Sequence, residues 1–240
     1  MRDLSSFKGC PAPQPVRLEG RFVVVEPYER VVHLEALWDG LGGMAINPLL
    51  TYFTQPDFKG IEDFDAWLSA VQKGGWVTEV FRHKASGKVV GMANYMRPDP
   101  ANGVVEVGGV AHGPAMSRTP IATEAQYLMA RHVFDDLGYR RYEWKCNNEN
   151  QPSKTTAERY GFSFEGIFRQ HMLSKGQNRD TAWYSIIDGE WPLVKAAFEA
   201  WLAPENFDVA GQQIRRLEDI RNQISQGQIG QGQTSQGVPA

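Results

Sequence analysis

The sequence predicts a mixed α/β (α+β) domain in which a largely antiparallel sheet packs against helices. Short segments rich in Val, Ile and aromatic residues are separated by clusters of Gly, Pro, Asn and Asp, which is typical of strands joined by turns. Other segments repeat apolar residues at three and four positions, which indicates amphipathic helices. The order is strand, helices, hairpin, strand, helix, strand, helix and a strand pair, which gives about seven strands.

The first half of the chain has clear start and stop signals. Three consecutive Val residues favour a first strand that Pro27 ends, and Gly74 and Gly75 end the second helical stretch. The predicted elements are, in order, strand 21–27, helices 31–41 and 61–71, and the hairpin strands 76–83 and 89–96.

The second half alternates strands and helices. The most strongly periodic helix ends at Gly138, and Gly161 ends a shorter one, because glycine readily adopts the left-handed conformation that closes a helix. The predicted elements are strand 104–111, helix 122–137, strand 142–146, helix 153–160, and the strand pair 162–172 and 181–187.

Changes in composition divide the chain into four parts. Residues 1–20 contain alternating prolines and predict an extended N-terminal arm, whereas 21–202 carry the periodic elements of the domain. Residues 203–225 predict a C-terminal helical extension. Residues 226–240 repeat Gly, Gln and Ser without apolar periodicity, so we expect a disordered tail.

Charge and apolar content narrow the possible partners and location. A net charge of −3 and a pI of about 6.0 argue against nucleic acid as a primary partner, because phosphate binding needs clustered Lys and Arg. No apolar run approaches the roughly 18–20 residues that cross a bilayer, so we predict no membrane partner and a cytoplasmic location.

Cysteine and histidine positions predict neither a disulfide framework nor a metal site. Cys10 and Cys146 lie in unrelated contexts. His112, His132 and His171 do not share a face with acidic residues at metal-ligand spacing.

Two junctions carry candidate chemistry. Residues 107–125 run from a strand through small residues into a helix, and the first turn of a helix directs free N–H groups at an anion such as a pyrophosphate. An ordinary strand-to-helix turn has the same geometry. Asn150 and Ser153 begin a short helix, for which a simple helix cap is the alternative.

The order of these junctions resembles the GNAT superfamily of N-acetyltransferases, and specifically its RimJ/RimL-like branch. About 65 residues, from Val104 to Arg169, carry the resemblance. The matching motifs are Ala122-Thr-Glu-Ala125, Phe134-Asp-Asp-Leu-Gly138, Asn150-x-x-Ser153 and Gly161-Phe162-x-x-Glu165-Gly166. The resemblance implies a twisted, mostly antiparallel sheet with helices on both faces, opened by a splay between two central strands.

Acetyl-CoA is the co-substrate that the resemblance implies, with no metal. Its pantetheine arm would lie beside Val110, Ala111 and His112, with Asn150 and Ser153 across the splay. The family's phosphate loop corresponds to Ser117, Pro120 and Ala122. The residues implied at the pyrophosphate are Arg118, Thr119, Pro120, Ile121, Ala122 and Thr123.

The chain departs from the family pattern at two positions. Pro120 stands where a glycine would offer its N–H, and the adjacent Arg118 and Thr119 are expected to compensate. Ala157 stands where many members have a tyrosine that protonates the leaving thiolate. The resemblance therefore makes Ser153 the candidate acid, and we expect Tyr160 to pack rather than act.

Glu106 is the candidate base, acting directly or through a water molecule, with a cross-strand pair as its alternative role. The implied reaction is direct acetyl transfer to a primary amine, which belongs to a small molecule or a protein N-terminus. Residues 38–58 and 169–183 are expected to line the acceptor site. A non-catalytic CoA-binding or partner-binding module and an antibiotic- or toxin-inactivating acetyltransferase remain alternatives, and a homodimer stays open.

Overall fold

A computed structural model describes residues 3–234, with side chains described through residue 227. One open sheet of eight strands runs in the order β1-β2-β3-β4-β5-β6-β8-β7. Every neighbouring pair is antiparallel except β5 and β6, which are parallel. The predicted mixed, mostly antiparallel fold is thus confirmed. The strands are β1 Leu18–Glu19, β2 Val23–Pro27, β3 Val77–His83, β4 Val89–Asp99, β5 Val104–His112, β6 Arg141–Asn147, β7 Ser163–Ser174 and β8 Gln177–Ile187.

Helices connect and cover these strands. They are α1 Arg30–Leu41, α2 Ile61–Lys73, α3 Pro120–Arg131, α4 Gln151–Tyr160, α5 Trp191–Leu202 and α6 Leu217–Thr234, with a 3-10 segment at Gly43–Leu50. Helix α3 continues as a π-helical turn, His132–Asp136. It begins at Pro120, two residues before the predicted start, because the fixed φ of proline suits the first helical position.

The eighth strand comes from the end of the predicted N-terminal arm. Leu18 pairs with Val25 and is 6% exposed, so this part of the arm extends the sheet and joins the core. At the other end, α6 includes residues 226–234, which the sequence placed in the tail. The remaining tail residues, 235–240, lie outside the described part of the chain.

Helices lie on both faces of the sheet, and each face has its own core. Side chains of α1 and α2 pack against alternate residues of β3 and β4, such as Val80 and Met92. The intervening residues, such as Phe81 and Ala93, join the larger core under α3, α4 and α5. This alternation follows from strand geometry, in which successive side chains point to opposite faces.

No helix within residues 3–234 is long and apolar enough to cross a membrane. Both cysteines are free. Among the described residues, no group of three or more His, Cys, Asp or Glu side chains is arranged to hold a metal ion.

Candidate active site

The parallel strands β5 and β6 separate in the middle of the sheet. Their pairing runs from Val104 opposite Arg141 to Val107 opposite Trp144 and ends there. Beyond that point β5 stays paired with β4 as far as His112, and β6 stays paired with β8 as far as Asn147. The facing backbone edges of β5 and β6 therefore border a gap, which has the form of the splay that the sequence resemblance implied.

A β-bulge at Gly109 turns β5 away from β6. Ala111 pairs with Met92 and Gly108 pairs with Asn94, so two residues of β5 stand opposite one of β4. Gly109 has φ of +55°, and a Cβ there would lie 2.5 Å from Nδ2 of Asn94. The position therefore favours glycine both by its backbone conformation and by the space available.

Asn94, on the neighbouring strand β4, stabilises the bulge. Its Nδ2 donates to the carbonyl oxygens of Gly108 and Gly109, at 3.2 and 3.4 Å. Thr78 Oγ1 donates to Asn94 Oδ1 at 2.7 Å and fixes the orientation of the amide. Sequence reasoning missed both residues, because a polar pair on adjacent strands gives no local signal of a bulge on a third strand.

The three predicted pantetheine-side residues follow this bulge on β5. Val110 and His112 are half-buried, whereas Ala111 is buried in the core beneath α1. Burial lowers the pKa of His112 to about 4, so its imidazole is neutral at physiological pH.

Helix α3 opens next to the end of β5. No described side chain caps its first turn, and Pro120 occupies the first position. The first-turn N–H groups of Ile121 and Ala122 have no carbonyl partner within the helix, whereas Pro120 has no N–H to offer. The predicted phosphate loop is therefore a helix N-terminus that has lost one donor.

In the loop before α3, the Thr119 hydroxyl does not have the free proton that was expected to compensate for Pro120. Thr119 Oγ1 donates to the carbonyl oxygen of Met116 at 2.9 Å, so its proton is engaged within the loop. Arg118 is exposed and has φ of +58°, a conformation that non-glycine residues seldom adopt. Thr123 Oγ1 accepts from Nη1 of Arg159 at 2.9 Å, which adds an arginine of α4 that the sequence did not single out.

Ser153 lies in the first turn of α4, beside β6. Asn150 caps this helix, since its Oδ1 accepts from the Ser153 N–H at 3.1 Å. Trp144 of β6 donates its indole N–H to Ser153 Oγ at 2.9 Å. Trp144 thus occupies an acceptor position of the hydroxyl and leaves the hydroxyl proton available for another partner.

Cys146 adjoins the Ser153 hydroxyl. Burial raises the pKa of the Cys146 thiol, and a hydrogen bond from Ser153 offsets part of this effect. Ala157, one turn further along α4, is fully buried. Tyr160 is 4% exposed and packs between Trp144 and Phe198, as the sequence predicted for a packing residue.

Glu106 points to the opposite side of the sheet from Val105 and Val107, which lie in the core under α3. We call this side of β5, β6 and β8 the open face; it carries Glu106, Glu143, Lys145, Thr181 and Trp183. Glu106 is 3% exposed, and its Oε2 accepts from Arg97 at 2.7 Å and lies 3.0 Å from Lys145 Nζ. The ion pairing that was the alternative for Glu106 is therefore present.

Residues 50–58, which belong to the predicted acceptor-lining segment 38–58, contact the β7–β8 hairpin beside the open face. Tyr52 donates its hydroxyl to the carbonyl oxygen of Glu149 at 3.2 Å. Its own carbonyl oxygen accepts from Arg179 Nη1 at 3.4 Å, and Asp57 pairs with Lys175 at 3.3 Å.

Comparison with known proteins places this geometry in a family. Residues 34–163 match the family described as acetyltransferase (GNAT) domain. A crystal structure of a GCN5-related N-acetyltransferase from Brucella melitensis is 48% identical, with a TM-score of 0.87 over 91% of this chain and 100% of that one. A probable acetyltransferase of the GNAT family from Chromobacterium violaceum ATCC 12472 is 33% identical, with a TM-score of 0.74 over 80% of this chain and 96% of the other.

A curated relative is more distant. The uncharacterized N-acetyltransferase p20 of Bacillus licheniformis is 28% identical over 108 residues, which are 45% of this chain. The match spans 60% of that relative's own length.

Proposed function

The chain belongs to the GNAT acetyltransferase family, and from that premise we propose that it transfers an acetyl group from acetyl-CoA directly to a primary amine. The observation that carries the proposal is the gap between β5 and β6, with the Ser153 hydroxyl beside it and the first turn of α3 next to it. The motifs at Asn150, Ser153, Gly161 and Phe162 favour the RimJ/RimL-like branch.

The residues around the gap fit acetyl-CoA. The backbone of Val110, Ala111 and His112 offers polar groups to an extended amide chain, in the manner of an added strand. The N–H groups of Ile121 and Ala122, together with the positive end of the α3 dipole, suit a pyrophosphate. Arg118 adds a guanidinium that offsets the donor missing at Pro120. The Thr119 hydroxyl proton is not available to the pyrophosphate, because it is donated to the Met116 carbonyl oxygen.

Acetyl-CoA supplies the acetyl group as a thioester, and the CoA thiol is its leaving group. Ser153 holds the proton that the leaving sulfur needs, and Trp144 and Asn150 fix the position of that hydroxyl. Glu106 receives the proton that the amine loses, directly or through a water molecule, while Arg97 and Lys145 hold its carboxylate in place. The acceptor approaches from the open face, between residues 50–58 and the β7–β8 hairpin.

Release of CoA thiol tests the proposal. The purified protein is mixed with acetyl-CoA and a panel of primary amines that contains peptides, amino acids, polyamines and amine-bearing antibiotics, and acetyl-CoA affinity is measured by calorimetry. We expect tight binding and amine-dependent thiol release. Binding without release from any amine would instead indicate a non-catalytic CoA-binding module, and release with antibiotics alone would indicate an inactivating enzyme.

A further inference from the structure

Arg179 of β8 is a cation that no carboxylate of the described residues neutralises. The carboxylates Glu106, Glu143 and Glu165 on and beside the open face form ion pairs with other cations, namely Arg97, Lys145 and Arg141. By contrast, Nη1 of Arg179 donates to the carbonyl oxygen of Tyr52 at a long 3.4 Å. Its Nε is buried and has no hydrogen-bond partner among residues 3–227.

This arrangement is energetically unfavourable as it stands. A guanidinium that is partly withdrawn from water without a counter-charge loses part of its solvation, and a single neutral carbonyl replaces that loss incompletely. Burial accordingly lowers the pKa of Arg179 below its ordinary value, and the nearby negative charge of Glu106 offsets part of this effect. Because Arg97 and Lys145 already share Glu106, an additional anion would satisfy Arg179.

The position of Arg179 relates that anion to the reacting end of the gap. Arg179 lies on β8 two residues before Thr181 of the open face, and Cys146, which Ser153 contacts from the core side, is within its electrostatic reach. Tyr52, which contacts Arg179, belongs to the segment that borders the open face. An anion on Arg179 therefore lies on the side from which the acceptor amine is proposed to approach, and a different element, the first turn of α3, is proposed for the CoA phosphates.

We propose that Arg179 binds a carboxylate of the acceptor, so that the substrates are primary amines with a carboxylate near the amino group. This inference rests on the proposed acetyl transfer. The planar guanidinium suits a carboxylate because it donates two parallel hydrogen bonds, and the unpartnered Nε is one of the two donors required. The carboxylate comes from a free amino acid or from an acidic side chain next to a peptide N-terminus.

Matched acceptors test the proposal. We would measure kcat/KM for an amino acid and its carboxamide, and for two amidated dipeptides that differ only by Asp or Asn at the second position. The proteins are wild type, Arg179→Gln, Arg179→Lys and the control Arg216→Gln, which changes an exposed arginine at the start of α6. Comparing the carboxylate-to-amide ratio between proteins cancels differences in amine basicity.

We expect the wild type and Arg216→Gln to prefer one carboxylate acceptor by about tenfold or more, because a charged hydrogen bond is lost with the amide. Arg179→Gln should abolish the preference, whereas Arg179→Lys should keep part of it. A preference for the amino acid over its carboxamide would identify a free amino acid as the source of the carboxylate. A preference for the Asp dipeptide over the Asn dipeptide would identify an acidic side chain next to a peptide N-terminus. Equal ratios in the wild type and Arg179→Gln would overturn the inference and leave acetyl transfer intact.

Calorimetry distinguishes failure of the acetyl-transfer proposal from failure of the proposed carboxylate binding by Arg179. If no amine releases CoA thiol, acetyl transfer is wrong, and acceptor binding to the protein–CoA complex then decides the role of Arg179. Carboxylate-dependent binding that Arg179→Gln loses would support the site, and its absence in the wild type would overturn it. Thermal melting establishes that the variants fold, and Arg179→Lys retains the buried charge if Arg179→Gln does not fold.

Discussion

At the scale of single residues, Ser153 is held by one neighbour at its backbone and by another at its hydroxyl. Asn150 accepts the backbone N–H of Ser153, and Trp144, from the neighbouring strand, donates to the hydroxyl oxygen. A serine that is fixed at its backbone and at its hydroxyl oxygen costs little to reorganise when it gives up its proton. The same contacts would also serve a purely structural cap, so a kinetic measurement is needed to separate the two roles.

Ser153→Ala should lower kcat by roughly 10²- to 10⁴-fold, the usual contribution of a positioned general acid. The affinity for acetyl-CoA, measured by calorimetry, should remain close to that of the wild type, because the backbone of β5 and α3 carries the proposed binding. Ser86→Ala, at the exposed turn between β3 and β4, is the matched control. Unchanged turnover in Ser153→Ala would leave Ser153 with the capping role alone.

Glu79 is a buried residue that catalysis does not use. It is fully buried on β3, its Oε1 accepts from the Val16 N–H at 3.2 Å, and its Oε2 has no partner among the described residues. Burial raises the pKa of Glu79 from an ordinary value of 4.5 to about 8. The folded protein therefore keeps this carboxyl protonated at pH values where the unfolded chain has lost the proton.

The stability of the protein should consequently fall as pH rises from about 4.5 to about 8, since the folded state binds more protons over that window. The contribution of Glu79 is on the order of 1.4 kcal/mol per pH unit there. Glu79→Gln should remove this contribution and raise the melting temperature at pH 8, whereas Glu35→Gln on the exposed side of α1 should not. Equal pH slopes for the wild type and Glu79→Gln, obtained from urea unfolding, would contradict the burial argument.

At the scale of elements, the bulge divides β5 into two parts that have different roles. The first four residues of β5 hold the sheet together through β6, and the residues after Gly109 leave β6 to border the gap. The turn between the two roles depends on Gly109 and on the amide of Asn94. A change at Gly109 should therefore affect ligand binding as well as stability.

Gly109→Ala should destabilise the protein by more than the approximately 1 kcal/mol cost of a left-handed alanine, because its Cβ would also press against Asn94. It should weaken acetyl-CoA binding as the gap changes shape. Gly87→Ala is the matched control, since Gly87 also has a positive φ, of +68°, but has nothing within 4 Å of an added Cβ. If both variants bind acetyl-CoA equally well, the bulge does not shape the cofactor site.

The elements that the sequence predicted well are those with strong local signals. Helix α3 has apolar periodicity and a proline at its first position, and α4 begins after the capping residue Asn150. These residues indicate where the two helices lie. The residues that it missed act over long distances: Asn94 reaches the bulge from β4, Trp144 reaches Ser153 from β6, and Arg159 reaches Thr123 from α4. Such contacts depend on which strands become neighbours, and composition and spacing do not encode that.

At the scale of the whole molecule, the N-terminal arm joins distant parts of the sheet. Cys10 donates its N–H to the carbonyl oxygen of Pro100, in the turn between the central strands β4 and β5, and Leu18 extends the sheet at its β1 edge. Between Cys10 and Leu18, the Val16 N–H donates a hydrogen bond to the buried carboxyl of Glu79. The sequence predicted an extended arm from its alternating prolines, but it could not indicate that the arm seals a buried carboxyl, because the partner lies 63 residues away.

Deleting residues 1–19 should therefore have two linked effects. The melting temperature should fall, because the β1–β2 pairing and the buried Leu18 side chain are lost. The pH dependence of stability between about 4.5 and 8 should also flatten, because water would reach Glu79 and bring its pKa back toward its ordinary value. Leu18→Ala in the full chain is the control, since it should lower the melting temperature and keep the pH slope. A truncated protein that retains the wild-type slope would show that the arm does not control the burial of Glu79, and that strands β2 and β4, on either side of β3, seal it instead.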